Sequence, residues 1–323
     1  MNDLQPLRPC HPARIARLAA LLCLLLFIPS LRAQTMEDGI MLGRNLICFG
    51  SLYTRDSWTQ YWEGTLQRTN GNIGTITTQS VNLAANYGVT SRINVLASAP
   101  YVWTNASQGV LKGQSGIQDI SLAVKYNVLR APMGRIGTVR GIVVAYGSIP
   151  LTNYSPDFLP LSIGMQSRTV GGRATLNYQG RNGLYLNGTG AYTFRGNVVL
   201  DRSSYFTNGQ LYLSNEVAMP NVFDYNLSAG YKRGDLVLTA AFAQQQTRGG
   251  GDIRRQDMPF VSNRMDASRV GFNIQYPLPI HRLRNLQYWV AYRNTFNGRN
   301  VGQANTLTTG LMYTLHFEKR ATP

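Results

Sequence analysis

The sequence has 323 residues, a net charge of +16 at pH 7 and only 14% charged residues, whereas soluble domains contain about 25%. Hydrophobic residues make up 44%, and the only long apolar run lies near the N-terminus, which excludes a protein with several membrane-spanning helices. Disorder throughout the chain is also excluded, because disordered chains combine low hydrophobicity with high charge.

The N-terminal region has the pattern of a secretion signal. Three arginines precede an apolar stretch at residues 18–28, and the small residue Ala33 offers a cleavage point. The stretch is too short to be a membrane anchor, which needs roughly 20 apolar residues. We therefore predict that residues 1–33 are a signal peptide that is removed, that residues 34–317 form the mature domain and that residues 318–323 are a short tail.

Removal of the predicted signal peptide would leave one cysteine, Cys48, two histidines, His281 and His316, and a net charge of +13. A single thiol cannot build a disulfide framework or a metal cluster. Neither histidine has a serine and aspartate at a spacing that indicates a hydrolase. The sequence thus predicts no catalytic residue, no metal site and no cofactor, and a barrel enzyme that uses one of these histidines is kept as a lesser alternative.

Apolar and polar residues alternate with a period of two over most of the mature chain, which predicts β-strands whose two faces meet different surroundings. Clear alternation covers residues 81–89, 93–103, 120–128, 223–231, 236–242, 270–276, 286–292 and 311–317, and less regular strands fit residues 45–62, 136–149, 169–179 and 184–194. The chain is therefore predicted to contain about twelve strands.

The connections between the predicted strands are alternately short and long. Tight turns follow the even-numbered strands, and long segments follow the odd-numbered ones, among them residues 195–222 and 244–266. This rhythm is typical of bacterial outer-membrane barrels, which have short periplasmic turns and long outer loops. We therefore predict an all-β fold, a transmembrane antiparallel up-and-down β-barrel in the outer membrane of a Gram-negative cell. A soluble secreted β-protein is the alternative.

The last predicted strand carries a second signal of this class. Gly310, Tyr313, Leu315 and Phe317 follow the spacing of the terminal strand that the barrel-assembly machinery reads. A plainer interpretation is that the last strand of any barrel alternates in this way. The expected partners are outer-membrane lipid, the barrel-assembly machinery and a small-molecule solute.

Two segments resemble motifs of one family of outer-membrane barrels. They are YGVTSRINV at residues 87–95, continued by APY at residues 99–101, and GQSGIQDISLAVKY at residues 113–126. The family is named for the meta-pathway of phenol degradation, and the resemblance implies an outer-membrane channel for small, often aromatic, compounds. Gln118 departs from the family pattern, which usually has glycine there.

The residues of these motifs also have a physical interpretation. Gly88 is predicted to supply a tight turn with positive φ. Asp119 and Lys125 lie six residues apart on one strand, so both side chains point to the same face, the predicted lumen. They are interpreted either as charges of a constriction or as members of an internal ion-pair network that holds the barrel.

Three arginines, Arg173, Arg269 and Arg293, fall between outward-facing apolar neighbours and are predicted to point inward with Lys125. A positive pore wall favours anionic solutes. The sequence therefore predicts passive uptake of small anionic or aromatic compounds through a constriction formed by these four residues, with Asp119 as the opposing charge.

Two alternatives to this function remain open. The arginines could merely fill the lumen by pairing with acidic groups, or the protein could be a structural or adhesive barrel with a plugged lumen and partner-binding outer loops. Nucleic acid is not an expected partner, because the basic residues are dispersed and form no basic run.

Overall fold

The computed structural model of the protein describes residues 38–254, 259–280, 283 and 285–317. The predicted signal peptide and C-terminal tail lie outside these described residues, as does His281. Within the described ranges, no helix is both long enough and apolar enough to cross a membrane.

Twelve antiparallel strands form one closed sheet. They are β1 (Leu46–Trp58), β2 (Ile76–Gly88), β3 (Ile93–Ala106), β4 (Asp119–Met133), β5 (Gly137–Pro150), β6 (Thr169–Gly180), β7 (Leu184–Arg195), β8 (Asn221–Arg233), β9 (Leu236–Arg248), β10 (Asp266–Pro277), β11 (Leu286–Arg299) and β12 (Asn305–His316). Each strand pairs with the next, and β1 also pairs with β12 from Leu46 opposite His316 to Ser57 opposite Asn305. This pairing closes the barrel, so the predicted fold class and strand number are confirmed.

The two faces of the sheet differ as the alternation predicts. On β2, the side chain of Leu83 is 62% exposed on the outside, whereas the adjacent Asn82 lines the interior. Leu122 on β4 and Leu227 on β8 are likewise exposed on the outer surface. A continuous apolar exterior is stable only against hydrocarbon, and closure satisfies the hydrogen bonds of every strand edge.

Short connections of at most eight residues join the strands at one end of the barrel, and six connections, loops 1 to 6, of which the first five are longer than ten residues, join them at the other. They comprise residues 59–75, 107–118, 151–168, 196–220, 249–265 and 300–304. Several loops contain short strands of their own, at Gln60–Glu63, Leu66–Thr69, Ser115–Ile117, Val198–Val199, Tyr205–Thr207, Gln210–Tyr212 and Glu216–Val217. Strands β9 and β10 extend further than the alternation predicted, which shortens the predicted connection at residues 244–266 to loop 5.

Loops 3, 4 and 5 pack against one another over the end of the barrel. A shared apolar cluster joins them, made of Leu159, Met165, Val198, Leu200, Tyr205, Val217, Met219, Phe260 and Val261. Tyr205 of loop 4 stacks on Phe260 of loop 5 with ring centroids 5.3 Å apart, and Arg202 contacts Asp157 of loop 3 at 2.7 Å. These long connections therefore form one folded cap, which includes much of the predicted partner-binding segment at residues 195–222.

Candidate functional site: the barrel lumen

The chain that precedes β1 lies inside the barrel. This segment, residues 38–45, is called the plug below. Leu42 is 1% exposed and packs against Cys48 of β1 and Met312 of β12. Met41 contacts an apolar cluster on another part of the wall, formed by β3 to β5 and made of Leu96, Ala123, Ile142 and Val144. Burial of these two side chains on different walls holds the plug across the lumen at the end with the tight turns.

An ion pair also holds the plug in place. The Lys125 ammonium group donates to the backbone carbonyl of Asp38 at 2.7 Å and to its carboxylate oxygen Oδ1 at 2.9 Å. The side chain of Lys125 is 0% exposed, and it is the largest fully buried side chain in the described part of the chain. A buried ammonium requires a charged partner, because burial of an unpaired charge is costly. The plug supplies that partner.

Gly88 is needed for close contact with the plug and not for the conformation of a turn. Its φ angle is not positive, so the predicted conformational role is wrong. A Cβ atom on Gly88 would instead collide with the backbone carbonyl of Gly43, and the Gly88 carbonyl accepts a hydrogen bond from Asn45 at 2.8 Å. Glycine is therefore required here because the plug backbone runs directly against β2.

A cavity of about 600 Å³ remains between the plug and the wall formed mainly by β5 to β11. Among the described residues, its basic lining residues are Arg140, Arg173, Arg181, Lys232 and Arg293, and its acidic lining residue is Asp38. Amide and hydroxyl side chains fill much of the remaining wall, with Tyr185 and Trp289 as aromatic members. The open part of the lumen is thus off-centre, polar and predominantly basic.

The structure places the predicted constriction residues at different positions. Arg173 and Arg293 line the cavity, and the guanidinium group of Arg173 lies 6.0 Å from the ring centroid of Tyr146. Arg269 lies outside the cavity lining and donates to Gln245 at 3.4 Å. Lys125 is covered by the plug. Only two of the four predicted basic residues therefore face the open cavity.

Asp119 does not oppose Lys125 across a constriction. It begins β4 at the loop end, where the Tyr154 hydroxyl donates to its carboxylate at 2.6 Å. Six residues of extended strand separate the two side chains by about 20 Å. Asp119 and Lys125 do point to the same face of the sheet, as predicted. The distance between them along the extended strand is too large for the two charges to form one constriction.

Four residues of the site were absent from the sequence prediction. Lys232 continues the polar face of its predicted strand, and Arg140 lies within the predicted strand at residues 136–149, so alternation could have found both. Arg181 lies in a turn, and Asp38 lies before the first strand. Nothing in the local pattern of these two residues indicates that they line the lumen.

The predicted assembly strand is the last strand of the barrel, β12. Phe317 lies just beyond it, is 56% exposed, and donates its backbone N–H to Asn45 at 2.8 Å. Gly310 lies on the inner face, and a Cβ atom there would collide with the backbone of Ser51. These contacts join the C-terminal strand to the plug and to β1, whereas recognition of this strand by the assembly machinery stays a prediction.

At the loop end, Asn300 joins three connections. Its side-chain oxygen accepts from the backbone N–H groups of Gly64 at 2.8 Å and Ile253 at 3.0 Å. Its amide nitrogen donates to Asp252 at 2.8 Å and to the carbonyl of Arg264 at 2.7 Å. Loops 1, 5 and 6 are therefore tied together by one buried amide.

Asp252 has a second partner at this position. Arg299 donates to both carboxylate oxygens, at 2.7 and 2.6 Å. These hydrogen bonds hold the pKa of Asp252 below its ordinary value, and they outweigh the opposing effect of desolvation. The carboxylate of Asp252 is therefore ionised at neutral pH, and the positive charge of Arg299 balances it.

Comparison with known proteins identifies the family. The family model described as "Putative MetA-pathway of phenol degradation" matches residues 60–311. The chain belongs to this family. The family membership predicted from residues 87–101 and 113–126 is confirmed, and the match extends across β2 to β11 and most of β12.

The chain is also similar to several solved structures. An outer-membrane channel from Pseudomonas putida F1 has a TM-score of 0.66 at 12% identity, over 88% of this chain and 100% of that chain. The NanC porin has a TM-score of 0.43 at 14% identity, over 82% and 100%. The toluene transporter TbuX from Ralstonia pickettii has a TM-score of 0.41 at 14% identity, over 92% and 100%. No curated protein sequence matches the chain.

The family match and the likeness to the Pseudomonas channel together establish the class of protein. The chain is an outer-membrane β-barrel of a Gram-negative bacterium and has the fold of an outer-membrane channel. The tight turns therefore face the periplasm and the long loops face outward. The similar solved structure is named as a channel, which is consistent with the non-enzymatic interpretation of the sequence.

Proposed function

We propose that the protein is a passive channel that admits small anionic solutes, including aromatic carboxylates, through the off-centre cavity. The observation that carries this proposal is the charge of the cavity wall. Five basic side chains line it, and the one carboxylate among the lining residues that the structure describes, Asp38, is bonded to Lys125. A wall of this sign concentrates anions and repels cations.

The arrangement of the basic residues suits stepwise passage. Arg293 and Arg173 lie near the middle of their strands, whereas Arg140, Arg181 and Lys232 lie near the periplasmic ends. A solute that enters below the loops would first meet Arg293 and Arg173 and then the basic residues near the periplasmic ends. The amide and hydroxyl side chains of the wall would replace the water of its hydration shell. Tyr185 and Trp289 provide apolar edges for an aromatic ring. Transport would follow the concentration gradient and needs no cofactor.

Planar-bilayer recording of the purified full chain tests this proposal. Under a KCl gradient, the reversal potential is expected to show preference for chloride over potassium. The double substitution Arg173→Gln and Arg293→Gln should reduce this preference, because it removes two cavity charges. Lys112→Gln is the matched control, since Lys112 lies exposed on loop 2 and should leave the selectivity unchanged. Cation preference in the unaltered protein would contradict the proposal.

The plug and the folded loop cap favour a second candidate, a structural barrel whose lumen conducts nothing. The same recordings separate the two candidates. A protein that inserts into the bilayer, verified by protease protection, and yet gives neither conductance nor solute uptake into liposomes would support the structural barrel and end the channel proposal.

A further inference from the structure

A polar cleft of about 940 Å³ lies between loops 3 and 4. Its lining residues come from both ends of loop 3 and from the first residues of loop 4. Among the described residues, none lines both this cleft and the cavity in the lumen. The volume is within the range of small-ligand sites, which extends to about 1,000 Å³. This part of the loop cap is therefore a candidate site that the proposed channel does not use.

The cleft lies directly above the lipid-facing surface of β6 and β7. Val170 on β6 is 61% exposed, Phe194 on β7 is 55% exposed, and the two residues are opposite each other in the ladder. Arg168 precedes Val170 by two residues, and its carbonyl accepts from the backbone N–H of Gly196 at 2.8 Å, which extends the ladder beyond β6. Side chains two residues apart on an extended strand point to the same face, so the exposed Arg168 points outward. The cleft that Arg168 lines is thus at the level of the headgroups of the outer leaflet.

The lining of the cleft combines a positive charge with hydrogen-bonding side chains. Arg168 supplies the charge, and Asp201, Asn153 and Gln166 supply acceptors and donors. The Gln166 amide donates to Asn153 at 2.7 Å, and the Gln166 backbone N–H donates to the Tyr154 hydroxyl at 2.9 Å, which fixes this side of the cleft. A guanidinium group binds two oxygens of a phosphate with its planar fork, whereas carboxylates and amides bind hydroxyl groups. The lining therefore fits a phosphorylated sugar.

Below the cleft, small residues leave a shallow depression in the outer surface of the barrel. Gly172 and Ala174 share the outward face of Val170 on β6, and Gly190 on β7 lies opposite Ala174. Ala145 on β5 lies opposite Gly172. A Cβ atom on Gly172 or Gly190 would have nothing within 4 Å apart from its neighbours in the chain. A depression of this kind gives an acyl chain more contacts than a flat surface does, and it continues directly from the cleft.

We propose that the cleft and the depression together bind one molecule of lipid A, the acylated and phosphorylated glucosamine disaccharide of the outer leaflet. A phosphate of lipid A binds Arg168, the disaccharide occupies the cleft, and one acyl chain lies along the depression. A soluble sugar accounts for the cleft alone, whereas a glycolipid also accounts for the outward direction of Arg168 and for the depression below it. The site does not depend on the proposed channel, because it lies on the outside of the barrel.

Titration of the purified full chain with bisphosphorylated lipid A in mixed detergent micelles tests the site, with native mass spectrometry as the measurement. The unaltered protein should become saturated with one tightly bound lipid A molecule. Arg168→Gln should weaken the apparent affinity about tenfold, the effect of one lost charge-assisted interaction. Arg55→Gln is the matched control, because Arg55 is exposed near the loop end of β1, on the opposite side of the barrel. Equal affinity in the two variants would overturn the proposal.

Gly190→Leu tests the depression separately from the headgroup. The added side chain fills the space below the cleft, so the affinity for lipid A should fall several-fold. The melting temperature without lipid A should stay unchanged, because a side chain at Gly190 collides with nothing. The control is Ala99→Leu on β3, which faces outward beside Leu83 on the far wall and should leave the affinity unchanged. Unaltered binding by a folded Gly190→Leu protein would overturn the assignment of a lipid to this surface.

Two further probes distinguish lipid A from related ligands. A bisphosphorylated glucosamine disaccharide without acyl chains that displaces lipid A at equal concentration would identify a soluble-sugar site and overturn the proposal. Phosphatidylglycerol that binds as tightly as lipid A, with the same dependence on Arg168, would identify a general contact with anionic lipid and would also overturn it. Displacement by neither probe supports the lipid A site. None of these outcomes depends on conductance, so the lipid A site and the proposed channel can fail separately.

Discussion

At the scale of single residues, Asn300 shows how one side chain can organise a large surface. It is 4% exposed, has a φ angle of 55°, and uses all four of its hydrogen-bonding positions. Asparagine is the non-glycine residue that best tolerates this left-handed conformation. We expect Asn300→Ala to lower the free energy of opening of loops 1 and 5 by about 2–3 kcal/mol, because buried backbone groups lose their partners. Faster amide hydrogen exchange at Gly64 and Ile253 would show it.

The control for this substitution is Asn208→Ala. Asn208 has a similar φ angle of 51° but is exposed on loop 4. It should reproduce only the backbone strain of alanine in the left-handed region, about 1 kcal/mol. If both variants accelerated exchange in loops 1 and 5 equally, the bonds made by Asn300 would not be the cause.

At the scale of elements, the plug determines how much of the lumen is open. Lys125→Met removes the ammonium group that donates to the carboxylate of Asp38, and the loss of such a charge-assisted hydrogen bond costs about 1.5–3 kcal/mol. We expect the plug to leave its position so that Asp38 regains water. Cys48 reports this movement, because it is 4% exposed and packs under Leu42. Labelling of Cys48 by a water-soluble maleimide should be slow in the unaltered protein and fast in the variant.

The labelling experiment has its own controls. Lys112→Met, on exposed loop 2, should leave Cys48 protected. Replacement of Cys48 by serine should abolish the signal and exclude reaction at any other cysteine. Slow labelling of the Lys125→Met protein would mean that Met41 and Leu42 hold the plug without the ion pair. The conductance of the variant should rise if the plug is the main restriction of the channel.

At the scale of the whole molecule, the closed barrel separates an apolar exterior from a polar interior. Leu83 and Asn82 are adjacent in the middle of β2 and face these two environments. We expect Leu83→Arg to lower the free energy of unfolding by about 2–4 kcal/mol in lipid vesicles, the cost of a basic side chain near the bilayer centre. Asn82→Arg should cost much less, because its side chain enters the hydrated cavity. Urea-induced unfolding in vesicles measures both. Equal losses would contradict the assignment of the two faces.

Much of the fold was predictable because the signal is local. Alternation along β2, β8 and β11 assigns one face of each strand to lipid, whatever the position of the strand in the barrel. The succession of short and long connections predicts that each strand pairs with the next one in the chain. For the same reason the inward direction of Arg173 and Arg293 could be read from their apolar neighbours. The limit of this reasoning is illustrated by Arg130 on β4. The register against β5 shifts between Asn127 and Leu129, so one extra residue reverses the alternation before Arg130, and nothing in the sequence pattern indicates this shift.

The sequence by itself determined the class of protein, the number of strands and the face on which most side chains lie, because a period of two is a property of adjacent residues. Only the tertiary structure decided what fills the lumen. Apart from β1, the strands that the plug contacts follow it by more than 40 and up to 270 residues, as in the contacts of Asp38 with Lys125 and of Leu42 with Met312. Such contacts are created by barrel closure, which brings every strand around one axis, and no local pattern records which segment will occupy the space so enclosed.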